Sequence, residues 1–271
     1  MPATPAPPTG FTPVTLKQHG NRFWRRPRGY GFAAGWAHFP LCMAEVAHMA
    51  ALLPLAFAPI KPGGSRLGPV ALCGPETAPP LCPETGAWRL PYVPAILRAY
   101  PFHVRQTEQQ QLELWVYDSP ETLSGVPTDQ PFFGPDGQPA QQLEEVIGFL
   151  QQFDAAMHEA HMACGELKTA GLLCPMQPSG WLHPDAAKGL WAVNPAALDG
   201  LADAAAGLLL RSGALAMAHA QQISQHHLQH AKTTAKQSTQ NHAGPAQPND
   251  SVTSFLQAMA QARQGDMGAN I

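Results

Sequence analysis

One feature limits what this chain can fold into more than any other: an apolar repeat at three- and four-residue steps running from Leu143 to Leu167. Leu143, Val146, Ile147, Leu150, Phe153, Met157, Ala160, Cys164 and Leu167 share one stripe of a helix. The spacing predicts a helix over about 140–170, closed by Gly171 as a left-handed cap. Elsewhere the chain is cut short. Its 29 prolines and 24 glycines, about a fifth of 271 residues, prescribe brief elements joined by ordered turns.

Those brief elements are legible one by one. A helix is expected over about 42–52, strands over 54–59 and 68–73, and a short helix over 94–99. Pro94 suits the first turn of that helix, where a missing N–H costs nothing, and Pro101 stops it. In 111–118, Leu112, Leu114 and Val116 alternate with Glu113, Trp115 and Tyr117, the pattern of a half-buried strand. Asp136-Gly137 marks a tight turn within 132–139. Residues 189–194 read as a strand, after which Asn194 caps and Pro195 opens a helix to about 212. Gly213 breaks it, and another helix starts at Ala214.

These elements imply one α+β domain over 21–228, a small mainly antiparallel sheet packed by several helices. Residues 1–20 read as a flexible proline-rich arm and 229–250 as a polar linker. Val252, Phe255, Leu256 and Met259 give 251–271 the pattern of a short amphipathic docking helix. The N-terminus lacks a basic region followed by an apolar one, so cytoplasmic synthesis without a Sec leader is expected. The most apolar window (41–60) is interrupted by Glu45, His48 and Pro54, which argues against a membrane span. Five cysteines without a C-x-x-C pair favour reduced thiols.

Charged residues are 13% of the chain and the net charge is −3, so no overall basic footprint for nucleic acid exists. One local cluster interleaves Arg22, Arg25, Arg26 and Arg28 with Phe23, Trp24, Tyr30 and Phe32. It reads either as a nucleic-acid contact or, preferably, as a strand with arginines in solvent and aromatics inward. His158 and His161, one turn apart, are weak metal candidates; their spacing is not H-E-x-x-H, and no third ligand adjoins them. His226, His227 and His230 lie in the polar tract and suit a solvated helix face. Cys73 and Cys82 would need an activating base to act as nucleophiles. No phosphate-loop, dinucleotide or nucleophile-elbow motif occurs, so no cofactor is expected.

The densest stretch is "GAWRLPYVPAILRAYPF" (86–102), which holds three prolines, four aromatics and two arginines. Most of its large side chains read as core. Arg98 then needs either a counter-charge, from Glu45 or Asp118, or an anion. Trp88, Tyr92, Arg98 and Tyr100, with Glu45, are accordingly the candidate binding residues, and no catalytic residue is assigned.

This stretch, preceded by "PVALCG", resembles the G-x-W-x-x-x-Y-[IV]-P-A-x-L-R-x-[YF]-P-F signature of the SapC family. "WVYDSPE", "PFFGPDGQPAQQLEEVIGFLQQF", "LKTAGLLCPM" and "LDGLADAAAGLLLRSGALAMAHAQQIS" follow in the family's order, so the resemblance spans about 30–228. "FFGPDG" lacks the family's acidic residue, and "CGPETAPPLCPETG" replaces its usual L-x-N-x-F-V-D. The family takes its name from a bacterial surface-layer association and has members in phage genomes. The resemblance brings no catalytic residue. The low charge, the two extended ends and the absence of an active-site motif lead to the expectation of a non-catalytic structural or assembly protein, binding protein partners or itself through the arm and the C-terminal helix on a surface layer or virion-like particle. A small-molecule binder or enzyme with its site framed by 86–102 is the alternative.

Overall fold

A computed structural model of the chain describes residues 10–73, 80–82, 84–107, 111–177 and 187–228. The expected linker 229–250, with His230, and the docking segment 251–271 lie outside them. So do residues 1–9 of the expected arm; its remaining residues carry strand β1 (Phe11–Pro13) and a single turn, α1 (Leu16–His19).

Strands β2 (Phe23–Trp24) and β3 (His38–Pro40) precede a 3-10 turn at Met43–Glu45 and helix α2 (Val46–Ala50). Strands β4 (Leu55–Pro59) and β5 (Leu67–Leu72) lead to α3 (Ala95–Ala99). Then come β6 (Phe102–Gln106), β7 (Leu112–Tyr117), β8 (Leu123–Ser124) and β9 (Gln130–Pro131). The long helix α4 (Gln141–Thr169) is followed by β10 (Leu173–Pro175) and β11 (Trp191–Val193). Helices α5 (Pro195–Asp199), α6 (Asp203–Arg211) and α7 (Ala214–Ser224) complete the order.

The strands form three antiparallel sheets, ordered β10-β11-β4-β5-β3, β1-β7-β6 and β8-β2-β9. The fold is α+β, as expected. In the five-stranded sheet both faces of β4 are covered. Leu55 and Phe57 enter one core with Met49, Leu167 and Met217, while Ala56 and Ala58 enter another with Val70, Leu72 and Leu190. Strand alternation thus explains why 55–58 is wholly apolar.

Helix α4 has 29 residues and is therefore about 43 Å long, too long for one small core. Leu143, Val146 and Leu150 pack with Trp24, Phe102, Val116 and Phe132; Ala163, Cys164 and Leu167 pack in the core of the five-stranded sheet. One amphipathic stripe therefore serves two hydrophobic clusters. Gly171 has φ 70° and continues past the helix end, as its position in the sequence suggested.

Some boundaries depart from expectation. The helix expected from 42 begins as a 3-10 turn because Glu45 folds back onto the Cys42 N–H, and its α portion ends at Ala50. Pro94 sits at the cap position, one residue before α3. Of the expected inward face of β7, Val116 is fully buried and Leu114 packs partly buried against the same core beside α4, while Leu112 at the start of the strand is exposed. The single helix expected from Pro195 to 212 is two, α5 and α6, separated at Gly200–Ala202. Extended backbone at Ala202 (φ −67°, ψ 142°) interrupts the helix, and Leu198 and Leu209 on either side of it both enter the same core. Asn194 caps α5 as expected, its side chain accepting from the Ala197 N–H.

Candidate functional site

The strongest polar cluster is built around Glu45, whose carboxylate is 1% exposed at the junction of the 3-10 turn and α2. Oε2 accepts from the Cys42 N–H at 3.2 Å. Oε1 accepts from the Tyr92 hydroxyl at 3.0 Å and from the Ala95 N–H at 2.5 Å. Ala95 opens α3, so the carboxylate satisfies a backbone donor that has no partner within the helix. Arg98 adds charge: its Nη2 lies 3.9 Å from Oε1 and donates to the Tyr92 hydroxyl at 3.2 Å. Its guanidinium also lies over the Tyr92 and Phe149 rings, at 5.7 and 5.3 Å from their centres.

Electrostatics follow from this packing. Burial, reinforced by the negative Glu45, pushes the Cys42 thiol up to about 12 and raises the Tyr92 phenol. Both groups therefore keep their protons at neutral pH. His48, three residues beyond Glu45, stacks on Tyr92 with ring centres 5.4 Å apart.

Of the candidate residues, Glu45, Tyr92 and Arg98 meet directly. Trp88 joins through its indole N–H, which donates to the Tyr92 carbonyl at 2.7 Å, while its ring packs against Phe39. Tyr100 faces elsewhere. It stacks on Phe32 at 3.8 Å and 12°, and burial pushes its phenol up to about 12. The counter-charge of Arg98 is Glu45, whereas Asp118 pairs with Arg22 at 3.3 Å.

Two adjoining clefts of about 440 and 790 Å³ share Arg25, Arg26 and Asp129 in their walls. Trp24 and Glu145 line the smaller; Arg28, Phe32, Gly86 and Tyr100 line the larger. The Arg25 guanidinium is committed to the Glu121 and Pro120 carbonyls and lies 3.8 Å from Asp129. Arg26 donates to the Arg98 carbonyl, and neither Arg26 nor Arg28 forms an ion pair among the described residues. Gly86, the first residue of the dense stretch, has φ 68°, and a Cβ there would stand 2.8 Å from the Gly31 nitrogen. Only glycine permits that close approach, which sets one wall of the larger cleft. Composition pointed to the arginines, but nothing local in the sequence pointed to Glu121, Asp129 or Phe149 beside them.

The remaining candidates are dispersed. His158 is exposed, while His161 faces Gly68 and is lowered to about 4 by burial, with Arg66 and His158 adding to the effect. A third cleft of about 780 Å³ lies beside it, lined by Met162, Lys168, Leu208 and Leu209 among others. A ring nitrogen of His227 lies 3.0 Å from the Ala50 carbonyl oxygen, and His226 is exposed. Burial pushes the Cys73 thiol up to about 12, and the Cys82 thiol donates to Glu84. Among the described residues no group of three or more His, Cys, Asp or Glu is placed to hold a metal ion. No described helix is long and apolar enough to cross a membrane.

In comparisons with known proteins, the SapC family model matches residues 14–230. No curated protein and no solved structure matches the chain.

Proposed function

The chain belongs to the SapC family, and from that premise we propose that it is a non-catalytic structural or assembly protein. It binds protein partners, further copies of itself among them, on a surface layer or virion-like particle. The observation that carries this reading is the engagement of Glu45. A general acid or base needs a lone pair or proton turned toward substrate, and here the carboxylate is spent on holding α2, Tyr92 and α3 together. The densest motif of the chain is thereby occupied with architecture.

Met162 and Leu208, 52% and 62% exposed, line the third cleft, and an apolar surface of this kind favours contact with another protein. Light scattering across a concentration series tests the proposal. Higher-order species are expected, and Met162→Glu with Leu208→Glu should shift them toward monomer. A full-length chain that stays monomeric at every concentration would overturn self-association.

A second reading, a small-molecule binder with its site framed by residues 86–102, is favoured by one observation: Gly86 and Tyr100 line the 790 Å³ cleft.

A further inference from the structure

The geometry points to an anionic sugar as the ligand of the cleft at Arg26 and Arg28: a hexose-sized ring carrying a phosphate or a carboxylate. This deepens the second reading above and rests on it.

Size comes first. Cavities of about 440 and 790 Å³ that share three wall residues fall in the range that encloses small molecules. Charge comes next. Arg25 is already held by two carbonyls and Asp129, so it shapes the wall. Arg26 has only a neutral carbonyl as partner, and Arg28 has no polar partner among the described residues. Loss of hydration and the neighbouring Arg98 lower the Arg26 guanidinium, although Tyr30 acts in the opposite sense. An oxyanion placed between Arg26 and Arg28 would relieve that cost through charge-assisted, fork-shaped hydrogen bonds.

The other walls select what carries the oxyanion. Phe32 and Tyr100, stacked nearly parallel, present an aromatic surface suited to the C–H face of a sugar ring. Glu84, Glu121 and Asp129 line the same cleft and can accept from ring hydroxyls. These carboxylates would repel the successive phosphates of a nucleic-acid strand, whereas one anionic group on a neutral ring avoids them. Trp24 lines the adjoining cavity, and its buried indole N–H has no acceptor among the described residues. The close contact of Gly86 with Gly31 holds the backbone on which Arg28 and Phe32 are mounted.

Titration calorimetry on the full chain tests this with glucose 6-phosphate and glucuronic acid as probes. Glucose, inorganic phosphate and a single-stranded oligonucleotide serve as comparisons. At least one anionic sugar should bind more tightly than glucose and than inorganic phosphate; which one does so names the head group. Arg28→Ala and Arg26→Ala should each weaken it roughly ten- to a hundredfold, with circular dichroism unchanged. Arg22→Ala, outside both clefts, should leave binding as it is. No binding of either sugar, affinity indifferent to Arg28→Ala, inorganic phosphate matching the sugars, or tighter binding of the oligonucleotide would each overturn the assignment. Light scattering without ligand reads self-association separately, so either reading can fail alone.

Discussion

At the scale of single residues, Glu45 matters most. Its side chain is buried and serves two backbone donors, one phenol and one guanidinium. Glu45→Ala would strand the Cys42 and Ala95 N–H groups and leave Arg98 without its carboxylate. Each buried N–H left without its acceptor costs about 1–3 kcal/mol, whereas the half-exposed Arg98 loses little. Tyr92→Phe removes one hydrogen-bonding hydroxyl from a group that is only part-buried and should cost about 1 kcal/mol. Urea unfolding with an unchanged slope measures both; equal costs for the two variants would contradict the central place of Glu45. Sequence reasoning reached Glu45, Tyr92 and Arg98 because charges and aromatics are conspicuous in an apolar stretch. It left the counter-charge open between Glu45 and Asp118, since neither lies near Arg98 in the chain, and the fold alone decided it.

Among the elements, helix α7 does more than fill the core. Strands β4 and β11 pair at one register position only, Trp191 with Phe57. Beyond it, side chains of the helix and the residue after it continue the ladder. The Gln221 carbonyl accepts from the Val193 N–H at 3.1 Å and its amide donates to the Leu55 carbonyl at 3.1 Å. The Leu55 N–H donates to Ser224, and the Gln225 amide donates to the Leu55 carbonyl as well. Gln221→Leu keeps the volume but leaves the Val193 N–H buried without its acceptor, at a cost of about 1–3 kcal/mol. Amide exchange at Val193 should accelerate, while amides in the β1-β7-β6 sheet keep their protection. If Val193 exchange is unchanged, the glutamine is not completing the sheet. This device was not legible beforehand, because a glutamine on a helix reads as a solvent-facing residue until its neighbours are known.

At the scale of the whole molecule, α4 links two hydrophobic clusters, and His161 sits where it crosses the five-stranded sheet. Its imidazole is pressed against Gly68, where a Cβ would meet the ring at 2.8 Å, and it titrates near pH 4 instead of 6.5. The folded state thus favours the neutral ring. Its contribution to stability is complete above about pH 6.5 and is lost as pH falls through about 4. The melting temperature should fall over that interval, and His161→Gln should flatten the decline. An unaltered pH slope in the variant would assign the acid sensitivity to other groups.

Features that depend on neighbours within a turn or two were legible in the residues: the period of α4, its glycine cap, the Asn194–Pro195 start of α5, the turn at Asp136-Gly137 and the left-handed break at Gly213. Each of these is a local backbone preference that distant residues leave unchanged. Folding in three dimensions was needed to pair β1 with β7, to bring Glu45 to α3, and to place Arg28 and Phe32 in one cleft with Tyr100 and Gly86. Those outcomes rest on contacts between segments far apart in the chain, and their free energy exists only once the intervening chain has folded.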